Sequence, residues 1–70
     1  MIVRFNEYQR YDIQQDCEVV RFMGVTDGGT FHTEVPMRST RQLRETRNNF
    51  KERVIELMQD GREPCEVTLG

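Results

Sequence analysis

The feature that most constrains the fold is a turn signal, TDGGT at Thr26–Thr30, which stands between two segments of strand-forming residues. The segment before it, Cys17–Val25, is rich in β-branched and large apolar residues, which is typical of a central strand covered on both faces. The segment after it, Thr30–Pro36, alternates between apolar and polar residues. The aspartate and the two glycines of the turn can supply the positive-φ positions of a tight connection, so the pattern predicts a β-hairpin.

Signals for a helix follow directly after the hairpin. Ser39, with Gln42 three residues later, is the pairing of a capping box, in which the serine side chain accepts a hydrogen bond from a free backbone amide. At the other end, Gly61 can take the left-handed conformation of a helix C-cap, and a proline follows soon after as a stop. These signals predict a helix from Thr40 to Asp60, about 30 Å long.

Two further segments are predicted to be strands. The N-terminal IVRF alternates, and the polar Gln9–Asp16 that follows is either a loop or an extension of that strand. Near the other end of the chain, Cys65–Leu69 alternates and predicts a closing strand. The expected fold is α+β in the order β-β-β-α-β, with one long helix packed across one face of a small, mostly antiparallel sheet. Because the 70 residues contain no internal repeat or linker, we expect residues 1–70 to form a single domain.

Projected at about 100° per residue, the predicted helix divides into distinct faces. Leu43, Phe50, Val54 and Leu57 fall in one narrow arc with Met58 at its edge, and this arc is the expected core face. A neighbouring flank is predominantly basic, and we call it the basic strip. The members of the basic strip are Arg41, Arg44, Arg47, Asn48, Lys51 and Ile55.

Charge is unevenly distributed along the chain. Residues Arg38–Arg53 carry six basic and two acidic side chains, a net charge of +4, whereas the rest of the chain carries −6 and the whole chain −2. Like charges three or four residues apart on a helix repel each other at a cost of a few tenths of a kcal/mol per pair. The pair formed by Arg41 and Glu45 offsets only part of that cost.

Three interpretations of the basic strip are open. It can be a solvated face whose alkyl stems shield the edge of a thin core. It can bind nucleic acid through phosphates, although the acidic remainder of the chain and the lack of an aromatic pair on the sheet disfavour this. It can bind protein, in which case planar guanidinium groups engage acidic side chains of a partner. The expected partner is a larger protein or nucleoprotein complex, with direct nucleic-acid binding as the alternative.

A second candidate surface is the N-terminal region, in which carboxylates surround two tyrosines. We call it the acidic patch, and its members are Glu7, Tyr8, Tyr11, Asp12, Asp16 and Glu18. Tyrosine flanked by acids is typical of a contact with a basic partner groove, and against a nucleoprotein partner such a patch can imitate phosphate. A plain polar loop is the alternative. If the first strand lies at the edge of the sheet, it can also pair with a strand of a partner.

Candidates for catalysis and metal binding are few. His32 and Glu34 share one strand face, where a general base with an orienting carboxylate is conceivable, but no serine or cysteine is placed locally as a nucleophile. The DGG turn lacks the lysine and the following helix of a phosphate loop. Cys17 and Cys65 are expected to be reduced, half-buried thiols, and a zinc site lacks further ligands. We therefore expect no enzymatic activity, no cofactor and no metal.

The sequence also bears on the compartment. Charged residues occur within the first ten positions, and no apolar run is long enough for a signal peptide or a membrane span. The expectation is a cytoplasmic protein without a membrane partner.

The segment FHTEVPMRSTRQL followed by PCEVTL resembles, in size, element order and uneven charge, the small sheet-plus-helix proteins with which bacteriophages disable host machinery. Examples are phage inhibitors of bacterial RNA polymerase and some anti-CRISPR proteins. The resemblance covers no motif, and it implies a small regulator or inhibitor that acts by occlusion. Together with the residues, it predicts a non-enzymatic protein-binding module that uses the basic strip or the acidic patch, with a nucleic-acid-binding regulator as the alternative.

Overall fold

The structure, a computed structural model, describes residues 3–69 and contains a three-stranded sheet and one helix. The strand order is β1-β2-β3, and β2 pairs antiparallel with both neighbours. The α+β class is therefore confirmed. The bounds of the elements are Arg4–Asp12 for β1, Cys17–Thr26 for β2, Gly29–Pro36 for β3 and Thr40–Gln59 for α1.

The predicted hairpin forms between β2 and β3, with Thr26 opposite Gly29. The Thr26 hydroxyl ties the turn together, because it accepts from the Gly28 N–H at 3.2 Å and donates to the Gly29 carbonyl at 2.9 Å. Of the three residues expected to supply positive φ, Gly29 does so, with φ of 140°. A glycine suits this position because few other residues adopt that conformation.

The ambiguous segment after the N-terminal strand is divided between strand and turn. Residues Gln9–Asp12 extend β1, which runs antiparallel to β2 along its whole length, and residues 13–16 form the connecting turn. Ile2 of the predicted N-terminal strand lies outside the described residues. Phe5 and Val3 pack against the core as the alternation predicts.

The helix begins at the predicted N-cap and ends at Gln59, one residue before the predicted end. The Ser39 side chain accepts from the Gln42 N–H at 3.0 Å, while the Gln42 side chain accepts from the Arg38 N–H, one residue before the cap. At the other end, Asp60 is the capping residue, and the two N–H groups that follow donate to carbonyls of the last turn. Gly61 has φ of 73°, as this C-terminal motif requires.

The core lies between α1 and one face of the sheet. Phe50 of α1 stacks on Phe22 of β2 at 5.8 Å between ring centroids and meets Phe5 of β1 edge-on at 6.2 Å. Leu43, Val54 and Leu57 are buried and Met58 is half-buried, so the predicted core face of the helix is confirmed. On the other face of β2, Val19 is buried, whereas Arg21 is exposed and Met23 is half-buried. Within residues 3–69 no helix or strand covers that face, so the prediction that both faces of β2 are covered holds only at Val19.

The closing strand is not confirmed. Residues 65–69 form one parallel bridge, between His32 and Glu66, through a hydrogen bond from His32 N–H to the Cys65 carbonyl and another from Val67 N–H to the His32 carbonyl. Parallel pairing is slightly less stable per residue than antiparallel pairing. Val67, which is buried in the core, and Leu69, which packs against it, hold this segment in place.

Phe50→Ala should remove a large part of the stability of the fold. The loss expected for such a truncation is about 3–5 kcal/mol, against a total of about 4–10 kcal/mol for a domain of this size. Urea unfolding followed by circular dichroism measures the effect.

The matched control is Ile55→Ala on the same helix, where the side chain is 45% exposed. We expect that change to stay within about 0.5 kcal/mol of the natural protein. Equal losses for the two variants would contradict the packing described here.

Candidate protein-binding surfaces

The basic strip runs along the side of α1 that faces β1. Two contacts fix this orientation. Arg47 forms an ion pair with Glu7 of β1, and the Lys51 ammonium lies 5.5 Å from the centroid of the Phe5 ring. The strip therefore forms one border of the helix–sheet interface, and the strand beneath it is β1.

Most of the strip is open to solvent. Arg41, Arg44, Asn48 and Lys51 are exposed. The ion pairs in the part of the chain that the structure describes involve Arg10, Arg47 and Arg53. No carboxylate oxygen there lies within 4 Å of the charged groups of Arg41, Arg44 or Lys51. These three cations are available to an external anion.

Arg47 differs from the other arginines of the strip. Its guanidinium donates to both carboxylate oxygens of Glu7, from Nε to Oε1 and from Nη2 to Oε2 at 3.1 Å. These hydrogen bonds, together with the charge of Glu7, raise the pKa of Arg47 above its ordinary value. Arg47 is thus already committed to a partner within the protein, and it links a member of the basic strip to a member of the acidic patch.

An apolar area lies at the C-terminal end of the strip. Ile55 is 45% exposed and lies beside Val3, Met58 and the stem of Gln59, which together line a shallow depression. A binding surface commonly combines polar groups with such an apolar contact.

The acidic patch does not form one surface. In the β1–β2 register, Glu7 is opposite the core residue Phe22, whereas Tyr8 is opposite Arg21. Side chains of successive strand residues point to opposite faces. The members of the patch that belong to strands therefore lie on two faces. The helix side carries Glu7, Tyr11 and Glu18, and the open side carries Tyr8 and Asp12.

The remaining member, Asp16, lies in the turn after β1 and accepts a hydrogen bond from the Tyr11 hydroxyl. Asp12 organises the same turn, because its carboxylate accepts from the backbone N–H groups of Gln14 at 2.9 Å and Gln15 at 3.2 Å. The Gln15 bond is the main reason that the pKa of Asp12 is lowered, with Arg10 adding an attractive charge. Two acids of the patch therefore serve the turn.

The candidate catalytic pair is not arranged as a base with its orienting carboxylate. His32 and Glu34 lie on the open face of β3, and Glu34 accepts from the Arg10 guanidinium at 2.9 Å across the sheet. Cys17 is half-buried and Cys65 is exposed, both as free thiols. In residues 3–69 no three His, Cys, Asp or Glu side chains are grouped as a metal site would require.

The open face of the sheet is a surface that the sequence interpretation missed. Tyr8, Arg21 and Met23 lie together on it, beside the Arg10–Glu34 ion pair. The alternation of β1 carries the signal, but the polar Gln9–Asp16 segment alone fits a loop as well as an extension of the strand.

The fold and these surfaces define a small α+β protein with a charged, exposed helix face. Comparison of the chain with protein-family models, curated proteins and solved structures found no match. In the described part of the chain, the helix is not apolar enough to cross a membrane. Function therefore has to be inferred from the side chains themselves.

The lowered pKa of Asp12 predicts a pH dependence of stability. A carboxyl whose folded-state pKa lies below its unfolded-state value stabilises the fold when ionised, and this contribution is lost as the pH falls through the folded-state value. Asp12→Asn retains the acceptor oxygen but has no charge to lose. Urea unfolding as a function of pH should show the natural protein more stable than the variant at neutral pH, with the difference vanishing as the pH falls from about 5 to 2. A difference that is independent of pH would contradict this role of the carboxylate.

Proposed function

We propose that this protein is a non-enzymatic binding module that docks the exposed part of its basic strip on an acidic surface of a larger protein or nucleoprotein complex and acts by occluding that surface. The observation that carries the proposal is that the strip is arranged against the electrostatic preferences of its own helix.

The N-terminal half of α1 illustrates this conflict. A helix N-terminus carries partial positive charge and favours acidic side chains. The first turn of α1 contains no acid and its last turn no base, while Arg41 lies in the first turn. Arg44 and Arg47 follow at intervals of three residues, which adds repulsion between neighbours. Glu7 compensates Arg47, but no carboxylate within residues 3–69 does so for Arg41 or Arg44. Residues that break local rules without an internal compensation are expected at functional surfaces.

The chemistry of the strip suits an acidic protein surface. Arg41 and Arg44 present planar, multidentate guanidinium groups that match carboxylates, and both are free of internal carboxylates within 4 Å in residues 3–69. Ile55 supplies an apolar contact at the far end of the same strip. Arginine and an apolar side chain on the same surface are typical of protein interfaces.

The alternative, a nucleic-acid-binding regulator, has less support. RNA-binding sheets commonly stack bases on neighbouring aromatic side chains. The two tyrosines of β1 lie on opposite faces of the sheet, since Tyr8 is opposite Arg21 and Tyr11 is opposite Glu18. The four phenylalanines are on the core side or in the core itself. On the open face of the described sheet, Tyr8 is therefore without an aromatic neighbour for stacking.

The double variant Arg41→Glu/Arg44→Glu should lose partner binding while the fold becomes no less stable. An acid at position 41 gains from the helix dipole and loses the attraction to Glu45, while an acid at position 44 replaces a repulsion with Arg47 by an attraction, so the changes balance or favour the variant. The measurement is capture of complexes from nuclease-treated lysate of cells that express the protein, quantified by mass spectrometry, together with urea unfolding of both proteins. We expect loss of the captured complex and an equal or higher unfolding midpoint.

The matched control is Arg21→Glu/Arg62→Glu, which changes the net charge equally at exposed positions away from the strip. It should retain the complex. Equal capture by all three proteins would exclude the strip as the docking surface. Binding of bare DNA or RNA oligonucleotides with a steep salt dependence, lost in the strip variant alone, would favour the nucleic-acid alternative.

A further inference from the structure

The outer edge of β1 carries a row of free backbone hydrogen-bonding groups whose positions can be derived from the register. His32 N–H and C=O both point away from β2, toward residues 65–67. In an antiparallel sheet, successive residues direct their N–H and C=O groups to alternate sides. Phe31, Thr33 and Val35 therefore bond to β2, and their partners Val20, Phe22 and Gly24 point toward β3.

The same alternation, applied to β2, shows which backbone N–H and C=O groups of β1 point toward β2 and which point outward. The β2 residues that point toward β1 are those opposite Arg4, Asn6, Tyr8, Arg10 and Asp12. The backbone groups of Phe5, Glu7, Gln9 and Tyr11 are consequently directed outward. Within residues 3–69 no strand pairs with this edge, so each of these four residues offers one N–H and one C=O to a further strand.

The charges and aromatic rings along this edge favour pairing with a second β1 strand. Antiparallel pairing with a second β1 satisfies the outward groups only when odd-numbered residues meet odd-numbered residues. A register centred on Tyr8 uses all nine residues of the strand and places Arg4 opposite Asp12 twice, and Phe5 opposite the aromatic Tyr11 twice. Opposite charges and aromatic pairs across strands are stabilising.

The neighbouring registers that satisfy the backbone are less favourable. A shift of two residues in one direction places Arg4 opposite Arg10 and Glu7 opposite Glu7, which puts like charges directly across from each other. The shift in the other direction uses seven residues and leaves Arg4 without a cross-strand partner. Charges that normally protect an edge strand against arbitrary pairing are here complementary to a second copy.

We propose that the occupant of this edge is a second copy of the chain, paired antiparallel through β1 about a two-fold axis at Tyr8 to give a continuous six-stranded sheet. The four outward residues of each copy exchange eight backbone hydrogen bonds between them, since each contributes one donor and one acceptor. The proposal goes beyond the docking function and does not depend on it.

The helices leave room for this assembly. A two-fold axis perpendicular to the sheet puts both helices on the same face. Each α1 packs chiefly over its β2, and the two β2 strands are three strand spacings apart, about 14 Å. Packed helices need about 8–10 Å between axes. The two basic strips face each other across the intervening cleft, because each strip lies on the β1 side of its helix.

Gln9→Pro tests the proposal, because it removes an outward N–H and leaves the β1–β2 hydrogen bonds intact. Gln9→Ala is the matched control, since it also loses the side-chain contact with Met37 but keeps the N–H. Analytical ultracentrifugation over a concentration series should show the natural protein and Gln9→Ala moving from 8.4 kDa toward twice that mass. Self-association of Gln9→Pro should be weaker by more than about tenfold. A natural protein that stays monomeric, or a dimer unaffected by the proline, overturns the proposal.

A cysteine test reads the register directly and does not depend on how well the proline variant folds. In a Cys17→Ser/Cys65→Ser background, Tyr8→Cys places two thiols at a non-hydrogen-bonded site on the axis, within disulfide range. Asn6→Cys is the control, because its cross-strand neighbour in the dimer is Arg10 and not a second cysteine. Mild oxidation should cross-link the first variant at least about tenfold faster than the second. Equal cross-linking rates for the two variants would overturn the register. A monomer that cross-links at neither position would overturn a second copy as the partner of this edge, and the partner would then be a strand of different sequence.

Discussion

The packing of Phe50 on Phe22 and Phe5 is the interaction on which the rest of the structure depends. It joins α1 to β1 and β2, the two strands that carry most of the surface residues described here. Gly24 leaves room for two neighbours of this packing, because a Cβ at that position would lie at a tight 3.3 Å from the Phe5 ring and 3.4 Å from Val54. A chain of 70 residues buries about 60% of its unfolded surface. The orientation of the helix therefore depends on a few aromatic contacts, and these fix the side of α1 that faces β1.

Because the core holds the helix, the exposed flank is free to carry charges that an isolated helix would not favour. Local helix stability comes mainly from tertiary packing of the apolar face rather than from surface interactions. Arg41 in the first turn and the repeated arginines after it each cost little compared with the burial of Phe50, Val54 and Leu57. Arg47 is stabilised by Glu7 and Lys51 lies over the Phe5 ring, but the contacts of residues 3–69 show no such role for the charges of Arg41 and Arg44. This difference is why we propose a partner for those two arginines.

The elements with strong local signals were predictable from the sequence, whereas the contacts between residues far apart in the sequence were not. The DGG turn, the Ser39 cap and the spacing of the core residues of α1 each depend on neighbours within a few positions, and the structure confirms them. The length of β1 was ambiguous because its pairing partner, not its own composition, makes Gln9–Asp12 a strand. The acidic patch looks like one surface in the sequence because its members are close along the chain. Only the assignment of Gln9–Asp12 to β1 shows that strand geometry separates them onto two faces. The contact of Arg47 with Glu7 spans forty positions and has no local signal.

That contact also relates the two proposals physically. Glu7 belongs to the strand whose edge is free, and Arg47 belongs to the strip that faces it, so the ion pair lies where strand pairing and partner docking meet. In the two-fold arrangement, Glu7 is opposite Gln9 of the second copy and avoids a second carboxylate. The acid that neutralises Arg47 therefore stays available to it after assembly. Arg41, Arg44 and Lys51 of both copies then border one cleft, and a partner with an acidic ridge would contact twice the number of unpaired cations that a single copy presents.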